Sequence, residues 1–164
     1  MGLDMYIEVD GSEVIYMRKA NAIRKWFADN LDNFIDNGTT NIPREKFKAL
    51  IDTMYDTIEA SGVHYLYEYY VNSDMDNVDK RSRFFDKCEK FVENGKEKYK
   101  TFCETAHKMF PTSDGFFFGS TSYDCWYIHQ LISNYCRLKE LYMDLTNNDT
   151  KDWRNGSVRY YEWY

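Results

Sequence analysis

Leu3-Asp4-Met5-Tyr6-Ile7-Glu8-Val9 and Glu13-Val14-Ile15-Tyr16-Met17, joined by Asp10-Gly11-Ser12, decide the fold class. Both runs are rich in β-prone residues, and the triplet between them is a turn sequence, so a β-hairpin is expected at the start of the chain. From about Ala20 the period changes. Ile23, Phe27, Leu31 and Phe34 recur at helical spacing until Asn37-Gly38, which predicts a first helix over that span. Thr40, Asn41 and Pro43 supply start signals for a second helix, whose Phe47, Leu50, Ile51, Met54, Tyr55 and Ile58 form an apolar stripe ending before Gly62.

Further along, Tyr65 to Val71 is dense in Tyr and fits either strand or helix, with helix favoured, and Asn72 to Asp79 reads as a polar, acidic loop. From Phe84, the residues Cys88, Phe91, Val92, Tyr99, Phe102, Cys103, Ala106 and Phe110 keep helical phase across Asn94-Gly95, which divides the segment in two before Pro111. Phe116 to Phe118, flanked by Gly115 and Gly119, reads as a short, fully buried strand. Ile128, Leu131, Ile132, Tyr135, Leu138, Tyr142 and Leu145 mark a long amphipathic helix, after which Asn155-Gly156 turns the chain into a last strand, Ser157 to Tyr164. The expectation is therefore an α+β fold in one domain, residues 1–164. Its small antiparallel sheet would combine the N-terminal hairpin, the central Phe run and the C-terminal strand under four or five helices. No internal repeat or linker interrupts the chain.

Composition limits function. With 164 residues and 43% hydrophobic content, the chain can build its own core. The 15 Tyr, 11 Phe and 4 Trp must share that core or lie on a contact surface. A net charge of -6 argues against general nucleic-acid binding, which relies on a basic surface. No apolar run approaches the ~20 residues that cross a bilayer, and the N-terminus lacks a signal-peptide pattern, so a cytoplasmic protein without a membrane partner is expected. Cys88, Cys103, Cys125 and Cys136 fall inside helical segments without disulfide-framework spacing and read as reduced thiols.

Two dense stretches suggest a ligand site. In Tyr16-Met17-Arg18-Lys19-Ala20-Asn21 and the helix it enters, Arg18, Lys19, Arg24 and Lys25 offer cations to an anion, and Asn21 offers a donor and an acceptor. Trp26 offers a ring for stacking. A solvated charged face with one extra core ring explains the same residues without a ligand, and for this stretch alone it carries more weight. In the second stretch, the hydroxyls and N–H groups of Gly119-Ser120-Thr121-Ser122 suit a phosphate, with Phe117 and Tyr123 as stacking rings. Thr121 with Asp124 also resembles a capping box, which needs no ligand, and the P-loop glycines and lysine are missing.

Metal and enzyme signals are weak. Cys103 with His107 and Cys125 with His129 are spaced for one helix face each, but both cysteines fall on apolar stripes, so no metal is expected. Asp74, Asp76 and Asp79 lack the glycine and distal glutamate of an EF-hand. No nucleophile elbow, His-Glu-x-x-His pattern or dinucleotide fingerprint is present; no catalytic residue or cofactor is expected, and an enzyme is the less favoured class.

Met1-Gly2-Leu3-Asp4-Met5-Tyr6, the Tyr16 to Phe27 segment, Gly115 to Ser120 followed by Tyr123-Asp124, and the terminal aromatic strand resemble a group of small bacteriophage and prophage proteins. Members often begin Gly-Leu-Asp-Met-Tyr-Leu and carry Tyr-Trp-Arg-Lys-Ala-Asn; here Met17 stands in place of Trp and Arg24 in place of His. The resemblance does not extend over about Ser61 to Lys108. It implies a phage protein in the host bacterial cytoplasm, without implying a reaction. The expected role is an accessory factor that counters host antiviral defence by sequestering a nucleotide immune signal. Tyr16, Arg18, Lys19, Asn21, Arg24, Trp26, Phe117, Gly119, Ser120, Thr121 and Tyr123 would form its site. The alternatives are an anti-CRISPR-like inhibitor that binds a host defence enzyme or nuclease directly, and a small nucleotide hydrolase. The partner is then a cyclic or ADP-ribose-type nucleotide or a host defence protein, with homo-oligomerisation left open.

Overall fold

The computed structural model describes residues 2–147, 153 and 157–164. In chain order the elements are β1 (Asp4–Val9), β2 (Ser12–Arg18), α1 (Asn21–Asn30), β3 (Thr39–Asn41), α2 (Arg44–Ala60), α3 (His64–Val71), α4 (Val78–Asn94), α5 (Glu97–Met109), α6 (Cys125–Asn147) and β4 (Val158–Trp163). They give an α+β fold whose residues fall into two compact units, one within Met1–Asp52, Thr112–Thr121 and Arg137–Tyr164, the other Thr53–Pro111 and Ser122–Cys136.

The first unit holds the sheet, in the order β2-β1-β4-β3 with every pair antiparallel. Asp10 and Gly11 connect β1 to β2 with φ of 51° and 83°, the left-handed pair that a two-residue hairpin turn requires. Alternation then sorts the strands. Met5, Ile7, Val9, Ile15, Met17, Val158 and Tyr160 are buried, whereas Tyr6, Tyr16 and Tyr161 form a row across the other face. On the buried side, α1 contributes Ile23 and Phe27, the latter with its ring 4.5 Å from that of Tyr160.

The second unit is helical: α3, α4 and α5 join the C-terminal part of α2 and the N-terminal part of α6. Its core includes Met54, Ile58, Leu66, Phe84, Cys88, Phe91, Phe102, Phe110 and Ile128. Asn77 caps α4 by accepting from the Asp79 and Lys80 N–H groups.

Several local expectations need correction. The helix begun near Ala20 stops at Asn30, because Leu31 is extended; Leu31 and Phe34 keep their apolar roles from the following loop. Thr39–Asn41 forms a strand ahead of α2, and that segment, not the Phe run, supplies the extra strand of the sheet. Gly115 to Phe118 is a tight turn, closed by the Phe118 N–H donating to the Gly115 carbonyl at 3.1 Å, and Phe116 is 95% exposed. Six helices, rather than four or five, are present among the described residues. Asp124 caps α6 itself, accepting from the Tyr127 N–H at 3.1 Å, while the Thr121 carbonyl accepts from Thr112, so the two do not form a capping box. The Asn155-Gly156 turn lies outside the described residues. Among the described residues, no helix is long and apolar enough to cross a membrane.

Candidate functional site

Within the first unit the two dense stretches meet. Asn21, the first residue of α1, grips the loop through its side chain: its Nδ2 donates to the Ser113 carbonyl at 2.8 Å, and its Oδ1 accepts from the Ser113 N–H at 2.7 Å. Leu3 N–H donates to the Phe117 carbonyl at 3.0 Å, and the Thr112 hydroxyl donates to the Thr121 carbonyl at 2.8 Å. The segment 112–121 is thus pinned at its entry, its tip and its exit.

Arg24 supplies the fourth restraint. Its guanidinium lies 3.9 Å from the centre of the Phe118 ring, a cation–π contact, and its Nη2 donates to Asp36 Oδ1 at 2.5 Å and Glu162 Oε1 at 3.1 Å. Glu162 is fully buried. It accepts two further hydrogen bonds, from the Asn37 N–H at 3.0 Å and the Tyr160 hydroxyl at 2.6 Å. Burial, and then the charge of Glu162, drive the Tyr160 hydroxyl far above its ordinary pKa, so it remains a donor. Tyr164 completes the network, with its hydroxyl on Asp36 at 2.6 Å and its ring 5.3 and 5.4 Å from those of Phe117 and Phe118. That hydroxyl is the largest cause of the lowered Asp36 pKa, with the Arg24 charge also lowering it.

The residues expected to bind a ligand therefore separate into different roles. Arg24 is only 8% exposed and shared by two carboxylates, and Asn21 is committed to Ser113, so neither is presented to a ligand as expected. Trp26 is half-buried and packs edge-on against Phe27. Tyr16 donates its hydroxyl to Asp4 at 2.6 Å, and Arg18 approaches the same carboxylate at 3.5 Å. Lys19 is exposed and lies against Gly119, which has φ of +86°; a β-carbon there would sit 3.1 Å from Lys19 Cβ. Ser120 and Thr121 are exposed on the same loop.

Tyr123 belongs to the second unit, where its hydroxyl meets His107 Nδ1 at 3.1 Å and its carbonyl accepts from the Tyr99 hydroxyl at 2.9 Å. The Cys103 thiol also points at that carbonyl, and the His129 ring lies among Phe84, Phe85 and Trp126. Among the described residues, no three His, Cys, Asp or Glu side chains gather into a metal-binding group. All four cysteines carry free thiols, and burial pushes that of Cys88 up to about 12.

Sequence reasoning missed Phe116, Phe118, Asp36, Glu162 and Tyr164. One signal was legible. Glu162 shares the period-two phase of Val158 and Tyr160, and a carboxylate at an inward strand position calls for a buried cation. No protein-family model matches the chain, and neither the curated proteins nor the solved structures include a match.

Proposed function

We propose that the chain is a phage accessory protein that counters host defence by direct contact with a protein, using the 112–121 loop as its recognition element. The observation that carries this reading is a bare phenyl ring on a restrained turn. Phe116 is 95% exposed, while Asn21, Leu3, Arg24 and Tyr164 hold the loop that presents it. A preorganised aromatic loses little freedom on binding, and burying it yields about 1.5–3 kcal/mol, the scale of an interface hot spot. The fitting partner has an apolar pocket for Phe116 and a basic rim. Exposed Asp114, Asp36 with its side chain 66% exposed, and the net charge of -6 complement such a rim. The resemblance to phage proteins supports a host protein as the target.

Nucleotide sequestration draws less support, since it loses Arg24 and Asn21 to the loop. The test is affinity capture from host bacterial extract, followed by titration of each purified candidate with wild-type protein and with Phe116→Ser. A partner whose Kd rises by about 30-fold or more with the variant supports the proposal. Partners that bind Phe116→Ser as tightly as wild type overturn it.

A further inference from the structure

The sheet of the first unit buries one face, and its other face is aromatic. Strand alternation and the ladder registers set that open face out in three rows. Asp4 stands in the first row between Arg18 and Trp163, Tyr6 in the second between Tyr16 and Tyr161, and Glu8 in the third between Glu13 and Arg159. The middle row is continuous, with the Tyr6 ring 5.2 Å from that of Tyr16 and 5.7 Å from that of Tyr161. Tyr16 and Trp163 are 45% and 57% exposed, and Val14, the extra residue at the β-bulge, is exposed beside them.

A solvated sheet face ordinarily carries polar side chains. Four aromatic residues at outward positions on three adjacent strands make instead a surface that another surface covers. The charges decide which one. Asp4, Glu8 and Glu13 against Arg18 and Arg159 leave this face close to neutral on a chain of net charge -6. Each outer row holds both signs, with Arg18 3.5 Å from Asp4 and Arg159 3.1 Å from Glu8. Nucleic acid calls for a basic surface and a strongly basic protein for an acidic one. A near-neutral face with both signs on either side of a tyrosine row matches a copy of itself.

The registers make that match specific. Tyr6 lies midway between Asp4 and Glu8 on β1, so a two-fold axis along the tyrosine row lays the tyrosines of two copies together and turns the first row of one onto the third row of the other. Arg18 of each copy then meets Glu13 of the other, and Trp163 meets Arg159, a cation–π pairing. Asp4 falls over Glu8, each already beside an arginine of its own copy. The strands of the two sheets stay nearly aligned, as in stacked sheets generally.

We propose that the open face of the sheet is the contact surface of a two-fold homodimer. It is separate from Phe116 recognition, so each proposal can fail alone. The test is sedimentation equilibrium of the purified protein over a concentration series, with circular dichroism to check the fold of each variant. Wild type is compared with Trp163→Ser, Arg18→Glu, Glu13→Lys, the double variant Arg18→Glu with Glu13→Lys, and Phe116→Ser.

A monomer–dimer equilibrium is expected for wild type. Its Kd should rise about tenfold or more in Trp163→Ser and in each single charge reversal, because symmetry places every contact in the interface twice. The double variant should recover to within a few-fold of wild type, and Phe116→Ser should leave the Kd unchanged. A wild-type protein that stays monomeric throughout overturns the proposal and leaves the face to solvent or to a different partner. A dimer indifferent to folded Trp163→Ser and Arg18→Glu, one lost in Phe116→Ser, or a double variant no tighter than Arg18→Glu overturns it equally.

Discussion

Arg24 and Lys25 are neighbours in sequence with opposite fates. Lys25 pairs with Asp29 at the surface of α1, at 2.6 Å, where water screens the pair and its contribution is small. Arg24 faces inward onto Glu162, whose burial leaves that carboxylate no water to replace a lost partner. Urea denaturation should therefore show Arg24→Ala losing about 3–5 kcal/mol of stability, while Lys25→Ala loses about 0.5 kcal/mol or less. In the second unit, His64 hydrogen-bonds Glu59 and Glu68, which raise its pKa in that order of importance. A raised imidazole pKa stabilises the folded state most below the unfolded value of about 6.5, and that contribution is lost as pH rises through the folded value. His64→Gln should flatten the decline in stability over that window, measured as Tm against pH; an unchanged slope would assign the decline to other groups.

At the scale of elements, legibility followed how local the determinant was. The hairpin could be read because Asp10 and Gly11 alone can satisfy its turn, and α4 and α5 could be read because their apolar stripes are long and broken at Gly95. The Phe run could not. Three apolar residues between glycines look the same whether they enter a sheet or a turn, and here distant partners decide: Leu3 takes the Phe117 carbonyl while Arg24 covers Phe118. Likewise Thr39–Asn41 is too short to show alternation, and its pairing with β4 comes from the far end of the chain. Gly115 has a steric reason to be glycine within the turn, since a β-carbon there would lie 2.1 Å from the ring of Phe118, which Arg24 covers. Gly115→Ala should open the turn and speed proteolysis within 112–121, leaving the far-ultraviolet circular dichroism unchanged; wild-type cleavage kinetics would show that the ring simply moves aside.

Taken as a whole, the first unit commits buried charge, an asparagine clamp and the last strand to holding one surface loop. The sequence brought attention to both dense stretches but assigned their residues by chemical type alone. Cations were read as ligand contacts, although whether a cation serves a ligand or the fold depends on where the carboxylates arrive: Asp36 comes from the loop after α1 and Glu162 from the far end of the chain. Aromatic residues were read similarly; Phe117 is half-buried against Tyr164, and its neighbour Phe116 is the ring in solvent. The measurement closest to this point is amide hydrogen exchange at Leu3, Ser113 and Phe118, the donors that tie the loop down, in wild type and in Arg24→Gln, with β1 amides reporting on the rest of the fold. Slow exchange at all three in wild type, with selective acceleration at Phe118 in the variant, is the expected result. Fast exchange at these amides in the wild-type protein would contradict a restrained recognition loop, whatever the variant does.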